Sequence, residues 1–352
     1  MPSVWRGAIK VTLAWELDRQ KLLPWLEALG REFEVIAPVK THGEVVFTSL
    51  SDVSQVALDY ENTLVPPKEF FLPPTETMFS FTTNKGGFNI VLPEEEDRRR
   101  VIFGIRPCDV TALSILDKVF SGDQGDEYYL SKRERSVLVA LGCNRPAERC
   151  FCGSVGAGPS LSDNFDVLLT ELDGCYFVEV ASEKGTELIY KAPSLFQEAS
   201  EEARKKKEGV VEQAKKLATR PVDPLEMARK MEAHFNDSRW AQLGERCLEC
   251  GGCTYLCPTC YCFDVVDRVK DGKGSRLRCW DCCLVPGFTR MAGGINPRDS
   301  AKARIKQRFY HKWAYFVARF GVLQCVGCGR CSETALCHID WKEVFQSVTG
   351  EP

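Results

Sequence analysis

The stretch Cys247-Leu-Glu-Cys250-Gly-Gly-Cys253-Thr-Tyr-Leu-Cys257-Pro258 decides how this chain is read. Its cysteines follow the C-x2-C-x2-C-x3-C-P spacing that holds a cubane iron–sulfur cluster. Two-residue gaps let successive thiolates curl around one cluster, and Gly251 and Gly252 relieve crowding where the backbone passes close to it. In two-cluster ferredoxins the fourth cysteine of such a run ligates the other cluster, so one run implies a second. The second is present as Cys325-Val-Gly-Cys328-Gly-Arg-Cys331, followed by Cys337. Crossed pairing assigns Cys247, Cys250, Cys253 and Cys337 to cluster one. Cluster two then takes Cys257, Cys325, Cys328 and Cys331. Between Cys331 and Cys337 lie five residues, with no proline after Cys337, where a gap of about three followed by proline is usual. A small bulge would accommodate Cys337, and the adjoining His338 is the alternative ligand.

Zinc is the competing reading. Structural zinc sites prefer two Cys-x2-Cys pairs separated by a longer loop, which three tightly spaced cysteines fit poorly. Disulfides fit less well. The first twenty residues include Glu16 and Asp18 and lack the apolar core of a signal peptide. No run of about 18 apolar residues is present, so no membrane-spanning helix is expected. Eighteen cysteines in such a chain point to metal ligation in a reducing cytoplasm. A formal net charge of −3 argues against a general nucleic-acid binder.

The 352 residues suffice for two domains. Thirteen cysteines fall between Cys247 and Cys337 and five before residue 200, which divides the chain. We place an α/β (or α+β) domain at 1–220 and a mainly helical, ferredoxin-like two-cluster domain at 221–352, with a cysteine-rich insertion at 258–324. In the front part, Val45–Leu50, Phe79–Phe81, Val101–Ile105 and Ser136–Leu141 read as strands. Val110–Phe120 reads as a helix with Asp109 as its N-cap. Phe165–Thr170 and Tyr176–Val180 flank Asp173-Gly174 as a hairpin. Ser194–Thr219 reads as one or two surface helices punctuated by Pro221 and Pro224, and Met227–Trp240 as another helix. Asp299–Phe320 reads as a basic, aromatic-rich helix pair.

Cys108 and Cys143 each follow a buried strand. If those strands are parallel neighbours, both cysteines lie at the sheet edge where α/β proteins gather ligands. Cys150 and Cys152 follow a short loop later, so Cys108, Cys143, Cys150 and Cys152 form a candidate third cluster site, weighed against inert buried thiols. The Gly153–Pro159 loop lacks the G-x-G-x-x-G spacing of a phosphate cradle. Cys175 reads as structural. Cys260, Cys262, Cys279, Cys282 and Cys283 could form an extra metal site or soft packing around the cubanes. The four histidines show no mutual spacing pattern.

The blocks Ile105–Leu113, Cys150–Pro159, Cys257–Phe263, Trp280–Thr289 and Cys325–Cys331 resemble the iron–sulfur beta subunit of cytoplasmic sulfhydrogenases. That family is similar to, and includes, the A subunit of anaerobic sulfite reductase and the iron–sulfur subunit of flavin oxidoreductases serving heterodisulfide reductase. The Arg-Pro-Cys-Asp block also resembles the cluster domain of deazaflavin-reducing hydrogenase beta subunits, which supports the front site. The family usually has serine where Cys282 stands, no cysteine where Cys279 stands, and x3-Cys-Pro at the end of its last run. The resemblance implies a cytoplasmic electron-relay subunit with two [4Fe-4S] clusters and a third at the front, and no flavin of its own. Its partners would be a flavoprotein subunit that handles NAD(P)H and a catalytic redox subunit. The chain carries no convincing Rossmann fingerprint, P-loop or nucleophile elbow, so substrate chemistry is expected on another chain. The alternatives are an oxidoreductase binding flavin or substrate beside the front cysteines, and a zinc-bearing structural or RNA-binding module. Docking to an acidic partner could use the basic segments Arg268–Arg278 or Lys302–Arg308.

Overall fold

The computed structural model describes residues 13–84, 87–94, 98–220, 223–334, 336–337 and 339–349. Pro221 and His338, singled out above, lie outside them. The strands are β1 (Leu13–Asp18), β2 (Glu34–Thr41), β3 (Glu44–Ser49), β4 (Thr75–Asn84), β5 (Gly87–Val91) and β6 (Arg100–Ile105). They continue as β7 (Ser136–Leu141), β8 (Val167–Glu171), β9 (Cys175–Val180), β10 (Phe196–Glu198), β11 (Phe263–Lys270) and β12 (Lys273–Trp280).

Eight strands form one sheet in the order β10-β1-β9-β8-β7-β6-β2-β3. The pairings β2–β6, β6–β7 and β7–β8 are parallel, and the outer pairings are antiparallel. The apolar runs predicted as strands are thus central and buried on both faces. Val101, Phe103, Val137 and Val139 pack on one side with α1 (Leu22–Gly30) and α4 (Glu183–Tyr190). Ile102, Leu138 and Ala140 pack on the other with α2 (Pro107–Phe120) and α3 (Glu127–Glu134). Of the parallel steps, β6 to β7 crosses over through α2 and α3, whereas β7 reaches β8 through the loop 142–166 that carries Cys143, Cys150 and Cys152.

Near the end of β6 the register slips between Phe103 and Ile105. Gly104 sits there at φ 79°, and a Cβ on it would lie 3.0 Å from the Pro38 ring. This bulge re-aims the chain as it leaves the sheet toward Arg106-Pro107-Cys108. The α2 cap is the Arg106 backbone, with no side-chain cap. Asp109 is therefore not the predicted N-cap; it lies in the first turn, 1% exposed, and pairs with Arg330.

The second sheet, β11-β12-β4-β5, takes two strands from each side of residue 220. Its β11–β12 hairpin turns at Asp271-Gly272, both at positive φ, the Asp-Gly signature of a tight hairpin. The molecule is therefore mixed α/β throughout; the mainly helical expectation for the C-terminal part overlooked this turn. The Trp280 indole N–H donates to the Leu72 carbonyl at 2.9 Å, fastening the insertion to the front part.

Three helix expectations also need correction. The segment Ser194–Thr219 begins in a 3-10 turn (Pro193–Leu195) and passes through β10, which pairs with β1, before α5 (Glu201–Ala218) starts. Met227–Trp240 divides into α6 (Pro224–Ala233) and α7 (Arg239–Arg246). Asp299–Phe320 is not a helix pair but one helical run: α9 (Ala301–Tyr310), a π-turn at His311–Tyr315 and α10 (Phe316–Phe320). These helices enclose an aromatic core of Trp240, Phe309, Tyr310, Trp313, Trp341 and Phe345. Here α8 is Gly252–Tyr255, α11 Arg330–Thr334 and α12 Trp341–Thr349.

Candidate metal centre

Cys247, Cys250, Cys253 and Cys337 line a single cavity, with Arg308 and Phe309 among its other walls. The Glu249 and Gly251 backbones adopt positive φ, 53° and 76°, turning the first run into α8. The five-residue gap before Cys337 leaves that thiol facing the same cavity as the first run.

The second set gathers beside it. Cys325 lies within electrostatic reach of Cys331 and Cys257, and Cys328 of Cys257 and Cys331. Gly327 and Gly329 bend this run at φ 63° and 76°. Cys253 also feels Cys331, so the two sets adjoin.

Strands β6 and β7 are parallel neighbours, and they carry Cys108 and Cys143 out at the same sheet edge. Cys108 lies near Cys152, and Cys152 near Cys150 and Cys143. The loop bearing Cys150 and Cys152 is anchored by Phe151, whose ring lies 3.7 Å from that of Trp341 in the C-terminal core. Phe151 N–H donates to Gly327 O at 2.8 Å, and the Cys150 thiol to Cys328 O at 3.5 Å. Asn62 Nδ2 reaches both Cys328 O, at 2.9 Å, and Cys150 Sγ, at 3.8 Å. The front loop thus rests directly on the second cysteine run.

Burial pushes the Cys150 thiol up to about 11, and those of Cys152, Cys253 and Cys325 up to about 12. Cys108 and Cys328 are raised well above the usual thiol range by the same desolvation. Such thiols ionise when a bound metal centre supplies positive charge, so soft, dry, sulfur-only sets of this kind suit iron–sulfur ligation. Cys257 is held low, first by its hydrogen bond from Cys260 and then, against burial, by Lys312 and Arg308.

Among the insertion cysteines, Cys262, Cys282 and Cys283 lie within electrostatic reach of one another. Cys260 stands against Cys257, Cys262 shares a hydrogen bond with Cys283, and the Cys282 sulfur accepts Leu284 N–H at 3.4 Å. Cys279 sits on β12 opposite Asp264 and Thr75. Among the described residues, no three His, Cys, Asp or Glu side chains are grouped to hold a single metal ion. All eighteen cysteines are free.

The glycine loop is used for packing. A Cβ on Gly153 would fall 2.6 Å from Thr219 Oγ1, and one on Gly158 would fall 3.1 Å from Cys152 Sγ. His311 contacts Tyr261, and His42 occupies the turn between β2 and β3. Cys175 on β9 lies 4.0 Å from Glu16. The basic segments turn partly inward: Arg304 and Arg308 are buried, and buried Arg278 pairs with Glu76 and Asp126.

Sequence reasoning missed several residues that organise the site. Arg330, inside the second run, makes a buried bidentate pair with Asp109, at 2.7 and 2.9 Å, and two bonds to Thr63. Lys68, Arg308 and Lys312 are buried around Cys253–Cys260. Arg308 and Lys312 stand four apart within an aromatic helix, which was the available signal.

Residues 246–339 match the 4Fe-4S dicluster domain family. The beta subunit of sulfhydrogenase 2 from Pyrococcus furiosus is 33% identical over 324 residues, covering 92% of this chain and 93% of its own. A serine palmitoyltransferase structure from S. paucimobilis aligns over 62% of this chain and 57% of its own at 11% identity, with a TM-score of 0.19, too low to bear on the fold. Among the described residues no helix is long and apolar enough to cross a membrane. The twin cysteine runs, the dicluster match across them and a full-length relative at 33% identity make this chain a member of the iron–sulfur beta-subunit family of sulfhydrogenases.

Proposed function

We propose that this chain relays electrons through three [4Fe-4S] clusters between a flavoprotein subunit that handles NAD(P)H and a catalytic redox subunit, in the cytoplasm. The catalytic partner would be of hydrogenase, sulfite reductase or heterodisulfide reductase type. Cys247, Cys250, Cys253 and Cys337 would hold cluster one, and Cys257, Cys325, Cys328 and Cys331 cluster two. Cys108, Cys143, Cys150 and Cys152 would hold the third, with the front α/β unit (1–220) and the dicluster unit (221–352) meeting between them. A bound [4Fe-4S] cluster takes up and releases single electrons.

The protein's part is burial and placement. Trp313, Trp341 and Phe151 exclude water from the core beside the ligand runs. The observation that carries the reading is the seating of the front cysteine loop on the second run, through Phe151 N–H to Gly327 O at 2.8 Å. Two ligand sets whose backbones touch stand close enough for direct electron exchange, and the first set adjoins the second. A solitary structural zinc site would need no such succession.

The test is iron and acid-labile sulfide counting on anaerobically purified protein, with identification of co-purifying subunits. Three clusters give about twelve irons per chain, falling to about eight in Cys152→Ser. About eight in both would reduce the front set to buried thiols. A protein that folds without iron would end the relay reading altogether.

A further inference from the structure

Most buried arginines in this chain have a carboxylate partner: Arg278 has Glu76 and Asp126, Arg304 has Glu249, and Arg330 has Asp109. Among the described residues four buried cations differ. Arg106, 6% exposed, donates to the carbonyls of Tyr60, Leu141 and Gly142 in the front part, and the other three act together elsewhere. Lys68, Arg308 and Lys312 are 3%, 6% and 4% exposed, and among the described residues none forms an ion pair with a carboxylate. Burying a charge without a counter-charge is strongly unfavourable. What these three touch instead is one short stretch of chain. Lys312 Nζ lies 3.2 Å from Cys257 Sγ and donates to Thr259 Oγ1 at 3.0 Å. Lys68 Nζ donates to the carbonyls of Cys257 and Cys260, at 2.8 and 2.9 Å. Arg308 Nη2 donates to Cys253 O at 2.9 Å.

The placement of Lys312 is built in. It lies in the π-turn His311–Tyr315, a helical irregularity often found at functional positions. Its carbonyl accepts the Gln324 N–H at 3.0 Å. Gln324 Nε2 in turn donates to Thr259 O at 2.9 Å, and Thr259 Oγ1 to Gln324 O at 2.6 Å. Lys312 and Thr259 are thereby both tied to Gln324, next to Cys325 of the second cysteine run. Around the first set Arg304 meets Glu249 and Arg246 meets Glu343, and the unpaired Arg308 reaches its backbone at Cys253 O but contacts no sulfur.

We propose that Lys312, backed by Lys68, sets the cluster held by Cys257, Cys325, Cys328 and Cys331 at a higher reduction potential than the cluster held by Cys247, Cys250, Cys253 and Cys337. The proposal rests on the relay reading above. Net charge and hydrogen bonds to the sulfurs are the protein's main levers on such potentials. A cation donating to a ligand sulfur favours the form that carries the extra electron. The step it biases moves one electron from the neighbouring cluster, with no bond made or broken and no proton transferred. Lys312 is a positioning residue for charge, and the second site becomes the electron well of the relay.

The experiment is an EPR-monitored redox titration of the whole anaerobic protein, comparing wild type, Lys312→Met and Lys312→Arg. The second-site signal is assigned as the one that survives both Cys250→Ser and Cys152→Ser. In Lys312→Met its reduced-to-oxidised ratio at a fixed potential should fall about tenfold, a shift of about 59 mV for one electron. The first-site signal should stay put, and Lys312→Arg should restore most of the loss. Unchanged midpoints at full iron content overturn the proposal, as do equal shifts at both sites or an arginine variant no better than methionine. If Lys312→Met fails to load the second cluster, Lys68→Met, which removes no contact to sulfur, must lower the same midpoint and no other. Iron-free wild-type protein would instead overturn the relay reading itself.

Discussion

Asp109→Asn isolates the strongest tie between the front and back of the molecule. Arg330 sits in the second cysteine run and Asp109 directly follows Cys108, and their side chains are 2% and 1% exposed. Both carboxylate oxygens are engaged, at 2.7 and 2.9 Å, so the pair is bidentate and dry. Asparagine keeps the shape and one acceptor oxygen but removes the charge, leaving the guanidinium buried without a counter-charge beside Thr63. Breaking a buried pair in this way costs about 3–5 kcal/mol, against about 0–1 for an exposed one. With an unfolding entropy of roughly 2.1 cal/mol/K per residue, a chain of 352 residues should melt about 4–7 °C lower. Differential scanning calorimetry on the anaerobic protein measures this. The paired replacement Asp109→Leu with Arg330→Leu should cost less than the two single changes added together, because neither charge is then stranded. A loss under about 1 kcal/mol for Asp109→Asn would refute the argument, since it would mean that water reaches the pair.

Two further outcomes follow from local geometry. Gly327→Ala places a Cβ 2.6 Å from the Cys152 backbone nitrogen, on a residue at φ 63°. Beyond about 1–3 kcal/mol of backbone strain, the front loop must lift, so iron content should drop while far-UV circular dichroism holds; full iron content would show that the two loops need not touch. Burial and then the nearby Lys312 depress His311 to about 4, below its usual 6.5. A lowered histidine leaves the unfolded chain binding the extra proton first, so stability is full above about pH 6.5 and declines as pH falls toward 4. Urea midpoints for His311→Phe should therefore fall less between pH 7 and 5 than those of wild type, and parallel curves would exclude the effect.

Local spacing alone carried the cysteine runs, the buried strands Val101–Ile105 and Ser136–Leu141, and the hairpin around Gly174. Each depends on neighbours within a dozen residues: thiol spacing for a cluster, apolar continuity for a doubly covered strand, a glycine for a turn. That Cys337 lines one cavity with Cys247, Cys250 and Cys253 is a matter of tertiary placement. What pattern could not supply was the partner of each isolated charge. Asp109 looks like a helix cap until Arg330, 221 residues away, takes its carboxylate. Lys312 looks like one more surface base until the π-turn drives it into the core beside Cys257. The β11–β12 hairpin finds its sheet only by pairing with β4, far upstream. Those choices belong to the tertiary structure because desolvation sets them: a charge or strand edge withdrawn from water must find its complement wherever the folded chain brings one.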